Sequence, residues 1–539
     1  MAYLFIKRIK SKVTNLFYSY YLIKFIKFIT KIKFKKDKKQ TNIILVEFFQ
    51  YYPSIISLSY FCRALSEKFN AEIHALKFNK SWLDKCLPSL SVFLNPFFYL
   101  YKAIGIKKVI FTRTVDQKKS SEIYKAVYKN INSKEDIMNI KINNLRIGEF
   151  IYDQYMRQFD KITIDYKSKE FRLALAESIN KFLFWDDCFS NHDIKSLVVT
   201  HTTYLTGMIV QIAIDKKIPV YCVGNNVSLY LNKKFNRKYT GYNSYINVFN
   251  SFSKNNQKKY ILIAKKKLLE RFQGKKDIRL IQNAHSDVAF GKSKNKIHDL
   301  NKDSKVKVLV AAHCFTDSPH VFGDNLFVDF YEWVDYLGRV SDKTNYSWYI
   351  KLHPSHYDGN LKHFKKFKKK YKRLNILPKN INHNDLIAHG IDCVLTVFGT
   401  IGHEYPLFGI PVVNASVNNP HNKYDFNHTP NNFKEYNNIL LNLDKIGKLK
   451  MNERMRDDMY KFFYLYGISD YAFMNKLFST QLSLGTLYNS TLFYKYFLKF
   501  NNEQSCKEVY NDVVEFIKTK KFKIVSDNSG KKPKIIGYI

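Results

Sequence analysis

Two stretches of this chain begin as short apolar runs and then break into small or polar residues: WYIKLHPSHYDG over residues 348–359 and IDCVLTVFGTIGHEYPLFGIPVVNA over residues 391–415. A strand covered on both faces has no polar side to alternate with, so this writing marks buried parallel strands that end in loops. It constrains the chain to an open α/β sheet, in which ligands sit at the carboxyl ends of the strands. In the second stretch Val394, Leu395, Val397 and Phe398 make a strand, Gly399-Thr400-Ile401-Gly402 a tight turn, and residues 403–408 a short helix that Gly409 closes before the next strand. A helix that starts just after a Gly-Thr turn aims unpaired backbone N–H groups outward with partial positive charge behind them, a seat for phosphate. Glu404, one turn in, is placed to accept hydrogen bonds from a sugar or ribose hydroxyl. The plainer reading is a βαβ unit whose glycines permit close packing.

At 539 residues and 45% hydrophobic content the chain exceeds one core and suggests two or three packed units. Strands over 42–49, 71–78, 108–113, 196–200 and 219–223, with helices over 54–69 and from Tyr204, predict a Rossmann-like domain in residues 41–226. Residues 227–304 are polar, rich in Lys, Asn and Tyr, and read as an insert and linker. A second βα series, residues 305–430, starts with a strand at 306–312 and continues with a helix at 327–340, a strand at 347–352 and a helix around 361–371. Residues 431–539 read as helical, with a basic tail at 531–539. The expected fold class is α/β, two Rossmann-like domains facing across a cleft, with an N-terminal basic amphipathic helix and C-terminal helices.

Lys and Arg number 88 against 46 Asp and Glu, a net charge of +42, which calls for an anionic partner. A coding bias toward Lys, Asn, Ile, Phe and Tyr explains part of the excess, because Lys is spread along the whole chain. Residues 1–40 carry twelve basic residues and one acidic residue, Asp37, with Phe and Ile between them. Such a segment lies naturally in the headgroup region of an anionic leaflet, and the density of Phe and Ile favours lipid over a nucleic-acid-binding arm. It has no small-residue cleavage site, and its longest uncharged run, 13–23, is too short to span a bilayer. The expected location is cytoplasmic, peripheral on the inner membrane face, with no nucleic acid as partner. Seven widely spaced cysteines without a CxxC read as reduced thiols and support neither a disulfide framework nor a zinc site.

The strand at 306–312 runs into His313-Cys314-Phe315-Thr316-Asp317-Ser318-Pro319-His320, and the strand at 347–352 into His353-Pro354. If these strands are parallel neighbours, their ends bring His313, Asp317, His320, Lys351, His353, Gly399, Thr400 and Glu404 toward one cleft. Lys and His donors beside a helix N-terminus suit a diphosphate and the charge that develops on a phosphate leaving group. A zinc ion held by His313, His320 and Asp317 is the rival; no HExxH or close Cys partner accompanies them, and Pro319 opposes a helix that presents the pair on one face. No metal and no cofactor is therefore expected beyond the co-substrate. In the first half, Glu149 and Asp153 stand four residues apart and share a face if their segment is helical, so a carboxylate there can act as general base toward an acceptor hydroxyl. A solvated helix face is the alternative. His201, with Thr202, Thr203 and Tyr204 at another strand end, is a third candidate for the base, and Gly224-Asn225-Asn226 are candidates to line the same cleft.

Taken together, VLVAAHCFTDSPH, WYIKLHPS and TVFGTIGHEYPLFGIPVV, with NLRIGEFIYDQYMR and VVTHTTY in the first half, resemble bacterial capsule and surface-polysaccharide glycosyltransferases of the GT-B type. The resemblance covers about residues 42–226 and 305–420. It implies transfer of a sugar from a nucleotide-sugar donor, without metal, to a glycan or lipid-linked acceptor at the inner membrane face. It further implies that His353 and the Gly399-Thr400 turn hold donor phosphate, that Glu404 contacts donor hydroxyls, and that Glu149 or Asp153 is the base. The insert at 227–304 and the lack of a Gly-rich loop after Phe49 depart from the family pattern. A teichoic-acid-type polyol-phosphate transferase shares the Lys-x-His-Pro segment, but its Asp-Tyr-Ser-Ser run is replaced here by Val397-Phe398-Gly399-Thr400. A non-enzymatic basic adaptor for membrane or nucleic acid would need no convergence of His353, Thr400 and Glu404.

Overall fold

The computed structural model describes residues 42–78, 86–224, 228–275, 289–291, 305–353, 357–379, 381–468 and 503–520, with Lys24 and Leu498. The basic segment 1–40, Lys24 apart, lies outside the described residues, as do Asn225, Asn226, Pro354 and the tail 531–539. Among the described residues no helix is long and apolar enough to cross a membrane.

In chain order the first half comprises β1 (Ile43–Glu47), α1 (Tyr52–Phe69), β2 (Glu72–Lys77), α2 (Pro88–Phe93), α3 (Pro96–Ile104), β3 (Ile106–Phe111), α4 (Gln117–Lys129) and α5 (Lys134–Met138). A small hairpin of β4 (Lys141–Ile142) and β5 (Leu145–Arg146) leads to α6 (Gly148–Phe159), α7 (Lys169–Asn191), β6 (Ile194–Val199), α8 (Tyr204–Asp215), β7 (Val220–Val223) and β8 (Ser228–Leu231). A 3-10 turn (Lys238–Ser244), α9 (Tyr245–Asn250) and α10 (Lys254–Phe272) follow. The second half runs β9 (Lys307–Ala311), α11 (Phe330–Lys343), β10 (Ser347–Lys351), α12 (Tyr357–Lys370), β11 (Leu374–Ile376), α13 (His383–Ala388), β12 (Cys393–Thr396) and β13 (Val412–Asn414). It closes with α14 (Phe433–Leu441), α15 (Leu443–Ile446), α16 (Glu453–Phe463) and α17 (Glu503–Thr519).

The first sheet has the order β3-β2-β1-β6-β7-β8, parallel except for β8, which pairs antiparallel with β7. The second, β11-β10-β9-β12-β13, is parallel throughout. Both are covered on two faces, which is why their strands read as unbroken apolar runs. Ile43 and Leu45 point into one core with α6, α7, α8 and α10, while Ile44 and Val46 point into another with α1, α3 and α17. In the second sheet Val308 and Val310 pack under α11, α12 and α14, and Leu309 under α13 and the turns after β12. In each sheet the order reverses beside the first strand: β1 is flanked by β2 and β6, and β9 by β10 and β12. Helices leaving to opposite faces at such a junction open a crevice at the carboxyl ends of its two strands.

Two expectations change. The stretch read as insert and linker supplies β8, and its helices α9 and α10 bury Tyr245, Phe249, Tyr260, Ala264 and Leu268 in the first core. Lysines on the outer face of α10 mask this period in the sequence. The C-terminal region also returns to the first half. Met459, Phe462 and Phe463 of α16 join that same core, and Cys506, Val509, Val513, Phe516 and Ile517 of α17 recur at helical spacing against α1. The Phe516 ring meets Phe61 and Tyr221 edge-on at centroid distances of 6.0 and 6.2 Å.

Replacing this fully buried ring, Phe516→Ala, is expected to cost about 3–5 kcal/mol of unfolding free energy. Denaturant titration followed by circular dichroism measures it; a loss below about 1 kcal/mol would mean that α17 contributes little to the first core.

Candidate functional site

At the reversal in the first sheet, Glu47 ends β1 and Thr200-His201 follow β6. The Glu47 carboxylate is buried and accepts from the Thr200 amide (2.8 Å), the Thr200 hydroxyl (2.7 Å) and the Thr206 hydroxyl (2.8 Å). His201 Nδ1 lies 3.4 Å from Glu47 Oε1, and the His201 side chain keeps 33% of its surface in solvent. Burial opposes ionisation of Glu47, but His201 and the hydrogen bonds from Thr200 outweigh it and bring the pKa down to about 2. A partly exposed imidazole backed by a buried carboxylate can take a proton from a hydroxyl and remain stabilised once charged. Sequence reasoning had His201 but missed Glu47; the signal was available, an acid ending the apolar strand Ile-Ile-Leu-Val.

At the reversal in the second sheet, His313 follows β9. Its Nε2 lies 3.1 Å from the Thr396 hydroxyl and accepts from the amides of Val397 (3.3 Å) and Phe398 (3.5 Å). Thr396 Oγ1 in turn accepts from the Gly399 amide at 3.1 Å. Burial, helped by the nearby His353, lowers the His313 pKa to about 3, so this imidazole is neutral and acts as a hydrogen-bond hub for the turn. His353 stands half-buried after β10, next to His313. Lys351 is mostly buried at the end of the same strand, donates to the Ile381 carbonyl at 2.9 Å, and has its pKa lowered to about 8 by burial. The expected helix at 403–408 is instead two 3-10 turns, Thr400–His403 and Tyr405–Phe408. Pro406 has no N–H with which to continue a helix, and Gly409 ends the second turn at φ 74°. The amides of Thr400 and Ile401 still precede the first turn's own hydrogen bonds, and Thr400 is exposed.

His313, His353 and the Gly399-Thr400 turn therefore lie together at one strand end, while Lys351, at the end of the neighbouring β10, turns to the Ile381 carbonyl. The other expected site residues are engaged elsewhere. Glu404 is buried and accepts from Arg271 Nε of α10 at 2.6 Å. Glu149 and Asp153 do share a face of α6, yet both are buried and paired, Glu149 with Arg237 and Asp153 with His320 at 2.6 Å. Burial raises the Glu149 pKa. Burial disfavours the charge on His320, but Asp153 and Glu149 overcome this and raise its pKa. Asp317 accepts from the Tyr204 hydroxyl at 3.1 Å and lies 3.5 Å from Arg157. Further contacts join the same segments: the hydroxyls of Tyr152 and Thr163 donate to Asp329 at 2.5 Å each, and Arg146 donates to both oxygens of Asp324. Among the described residues no three His, Cys, Asp or Glu side chains are grouped to hold a metal ion.

A polar cavity of about 340 Å³ is lined by Asn243, Asn418, Asn419 and Asn422 with Thr240, Tyr242 and Lys234, and a chain of rings joins it to His313. Its Tyr242 ring packs on Phe322 (5.8 Å), which packs on Phe398 (4.6 Å), which packs on His313 (4.6 Å). Just behind the Gly399-Thr400 turn, the side chains of Asn414 and Asn427 and Nδ1 of His421 are buried without a protein partner. Gly402 approaches them so closely that a Cβ there would stand 2.6 Å from His421 Nδ1. His421 Nε2 is 3.0 Å from His403 Nδ1, and burial holds both imidazoles neutral.

Two substitutions probe the buried charges. Glu47→Gln is expected to remove about 2–3 kcal/mol, since a charged acceptor is lost from three hydrogen bonds. With its pKa depressed from 4.5, the contribution of Glu47 is complete above that pH and fades as pH falls toward 2. Asp153→Asn, which leaves a buried imidazole unopposed, is expected to cost about 3–5 kcal/mol. The sign with pH is opposite: with the His320 pKa raised above 6.5, the pair's contribution is complete below that pH and is lost on going alkaline through the raised value. Urea unfolding across pH checks both.

No protein-family model and no curated protein matches this sequence. Among solved structures the chain is similar to the Thermosulfurimonas dismutans KpsC, a beta Kdo 2,4 transferase, at 11% identity over 50% of this chain and 79% of that one, with a TM-score of 0.31. It is similar to the Methanocaldococcus jannaschii UDP-GlcNAc 2-epimerase in complex with UDP-GlcNAc and UDP, at 13% identity over 79% and 99% and a TM-score of 0.23. A UDP-N-acetylglucosamine 2-epimerase from Rickettsia bellii matches at 13% identity over 81% and 99%, TM-score 0.23. Likeness at these scores adds nothing to the geometry described above.

Proposed function

We propose that this protein is a glycosyltransferase that moves a sugar from a nucleotide-sugar donor to a capsule- or lipopolysaccharide-type acceptor at the cytoplasmic membrane face. The observation that carries the reading is the pair of strand-order reversals, one ending in Glu47 and His201, the other in His313, Lys351, His353 and the Gly399-Thr400 turn. The second group offers the Lys351 ammonium, the His353 imidazole and backbone amides and suits a diphosphate. The first contains a base and suits a hydroxyl.

In this mechanism the Thr400 and Ile401 amides, Lys351 and His353 bind the donor's phosphates and stabilise the negative charge that grows as the bond between the anomeric carbon and the phosphate oxygen breaks. His313 holds the turn in register through Thr396. His201 takes the acceptor's hydroxyl proton, the acceptor oxygen bonds to the anomeric carbon, and the nucleotide leaves with the electron pair. Glu47 orients the imidazole and offsets its charge. His201 is preferred as base over Glu149 and Asp153 because those carboxylates are already neutralised by Arg237 and His320.

A thermal-shift panel of nucleotides and nucleotide sugars, with CDP-polyols included, tests this. A ligand present at a hundredfold over its Kd stabilises by about 2.7 kcal/mol. The expected result is a shift with one nucleoside diphosphate and its sugar, abolished by His353→Ala. His201→Ala should keep that shift while lowering turnover by about 10²–10⁴. A response confined to CDP-polyols would assign polyol-phosphate transfer instead, and no response to any nucleotide would sink the enzymatic reading.

A further inference from the structure

Eleven large apolar side chains stand exposed among the described residues, and five of them fall within thirteen consecutive positions: Leu87, Leu90, Phe93, Leu94 and Tyr99. Leu87, Leu90 and Leu94 recur at three- and four-residue spacing along α2, with Phe93 beside them. Phe93 and Leu94 are 60% and 62% exposed. Tyr99 of α3 meets the Phe93 ring edge-on at 6.4 Å and its hydroxyl donates to the Phe93 carbonyl at 3.3 Å, so the patch is continuous across the two helices. It is also firmly mounted. The opposite side of α3 buries Leu100, Tyr101 and Ile104 in the core, and Tyr101 donates to the Glu47 carbonyl at 2.8 Å while accepting from the Phe49 amide at 2.8 Å.

Among the described residues of this stretch, 86–115, the charges have one sign. Residues 85–115 contain no Asp or Glu, and within them Lys102, Lys107, Lys108 and Arg113 are exposed. The carboxylate nearest in the sheet register, Glu72 at the start of β2, is held by His74 at 3.1 Å. Exposed Leu and Phe in a stretch whose exposed charges are all basic match a leaflet with anionic headgroups: the apolar groups enter the acyl boundary, Tyr99 sits at the interface, and the cations meet phosphate. A second copy fits poorly, because a two-fold contact would set one basic stretch against another. We propose that α2 and α3 form a membrane-docking surface for an anionic leaflet, separate from residues 1–40. Through Tyr101 this surface is fastened directly to the end of β1, next to Glu47 and His201, so a membrane-borne acceptor would be met close to the proposed base. The docking itself does not depend on the transfer reading.

Cys86, one residue before Leu87, is the exposed thiol among seven cysteines, the other six being buried. An environment-sensitive fluorophore on Cys86 of the full chain therefore reports on this patch and not on residues 1–40. With vesicles of phosphatidylcholine and phosphatidylglycerol, the expected result is a blue-shifted emission protected from iodide, weakened by added salt. Phe93→Ser with Leu94→Ser should weaken that response by about tenfold or more and leave the circular dichroism unchanged, since both side chains are outside the core. Vesicle binding without change at the probe, or an equal response from the double variant, would overturn the proposal. So would a shift that grows with protein concentration in the absence of vesicles, which would assign the patch to a second copy. An equal response to phosphatidylcholine alone would overturn the anionic assignment.

Discussion

Carboxylates withdrawn from water dictate how the ends of these strands and helices can be arranged. Glu47, Glu149, Asp153 and Glu404 are all buried, and an isolated charge in such a place would cost many kcal/mol, so each has to find a cation or several donors. Each solution fastens two separate segments. Glu47 joins the ends of β1 and β6, Glu149 ties α6 to Arg237, Asp153 ties α6 to His320, and Glu404 ties the turn after β12 to Arg271 of α10. The last two reach between the halves of the chain. Apolar packing makes each sheet stable, but packing is indifferent to small slides; paired charges and bidentate contacts such as Arg146 with Asp324 are not.

The same requirement separates the imidazoles into different kinds of group. His201 keeps part of its ring in solvent beside an ionised carboxylate. His313 accepts from the Val397 and Phe398 amides at one nitrogen, and with its pKa lowered to about 3 it is a fixed structural acceptor. His320 is buried, which disfavours its charge, yet Asp153 facing it raises its pKa. Their residue type is identical and their chemistry is not, because burial and the nearest charge decide which form is stable.

Much of the architecture was legible in the chain. Parallel strands buried on both faces are written as apolar runs, and β1, β2, β3, β6, β7, β9, β10, β12 and β13 are legible in this way. So is the meeting of the residues after β9, β10 and β12 at one end. The strands and helices that are not legible are those whose identity depends on a neighbour. β8 is an edge strand whose pairing with β7 no local pattern announces, and α10 carries its buried residues between exposed lysines. α17 packs on α1 across more than four hundred residues of sequence, a contact that no window of sequence contains. Among the site residues, Glu149, Asp153 and Glu404 looked like free acids, because a sequence does not show that Arg237, His320 and Arg271 arrive beside them.

By itself, then, the sequence determined the alternation of strand and helix, the two-sided burial of the sheets, the gathering of Lys and His at the ends of the second sheet's strands and the apolar, carboxylate-free stretch at 85–115. These follow from local periodicity and composition, which each residue carries wherever it goes. Only the tertiary structure decided strand order, the pairing of every buried charge, the neutrality of His313 against the accessibility of His201, and the return of α17 to the first sheet. Those depend on distances between groups remote in the chain, and electrostatic and hydrogen-bond energies are set by distance and burial rather than by residue type.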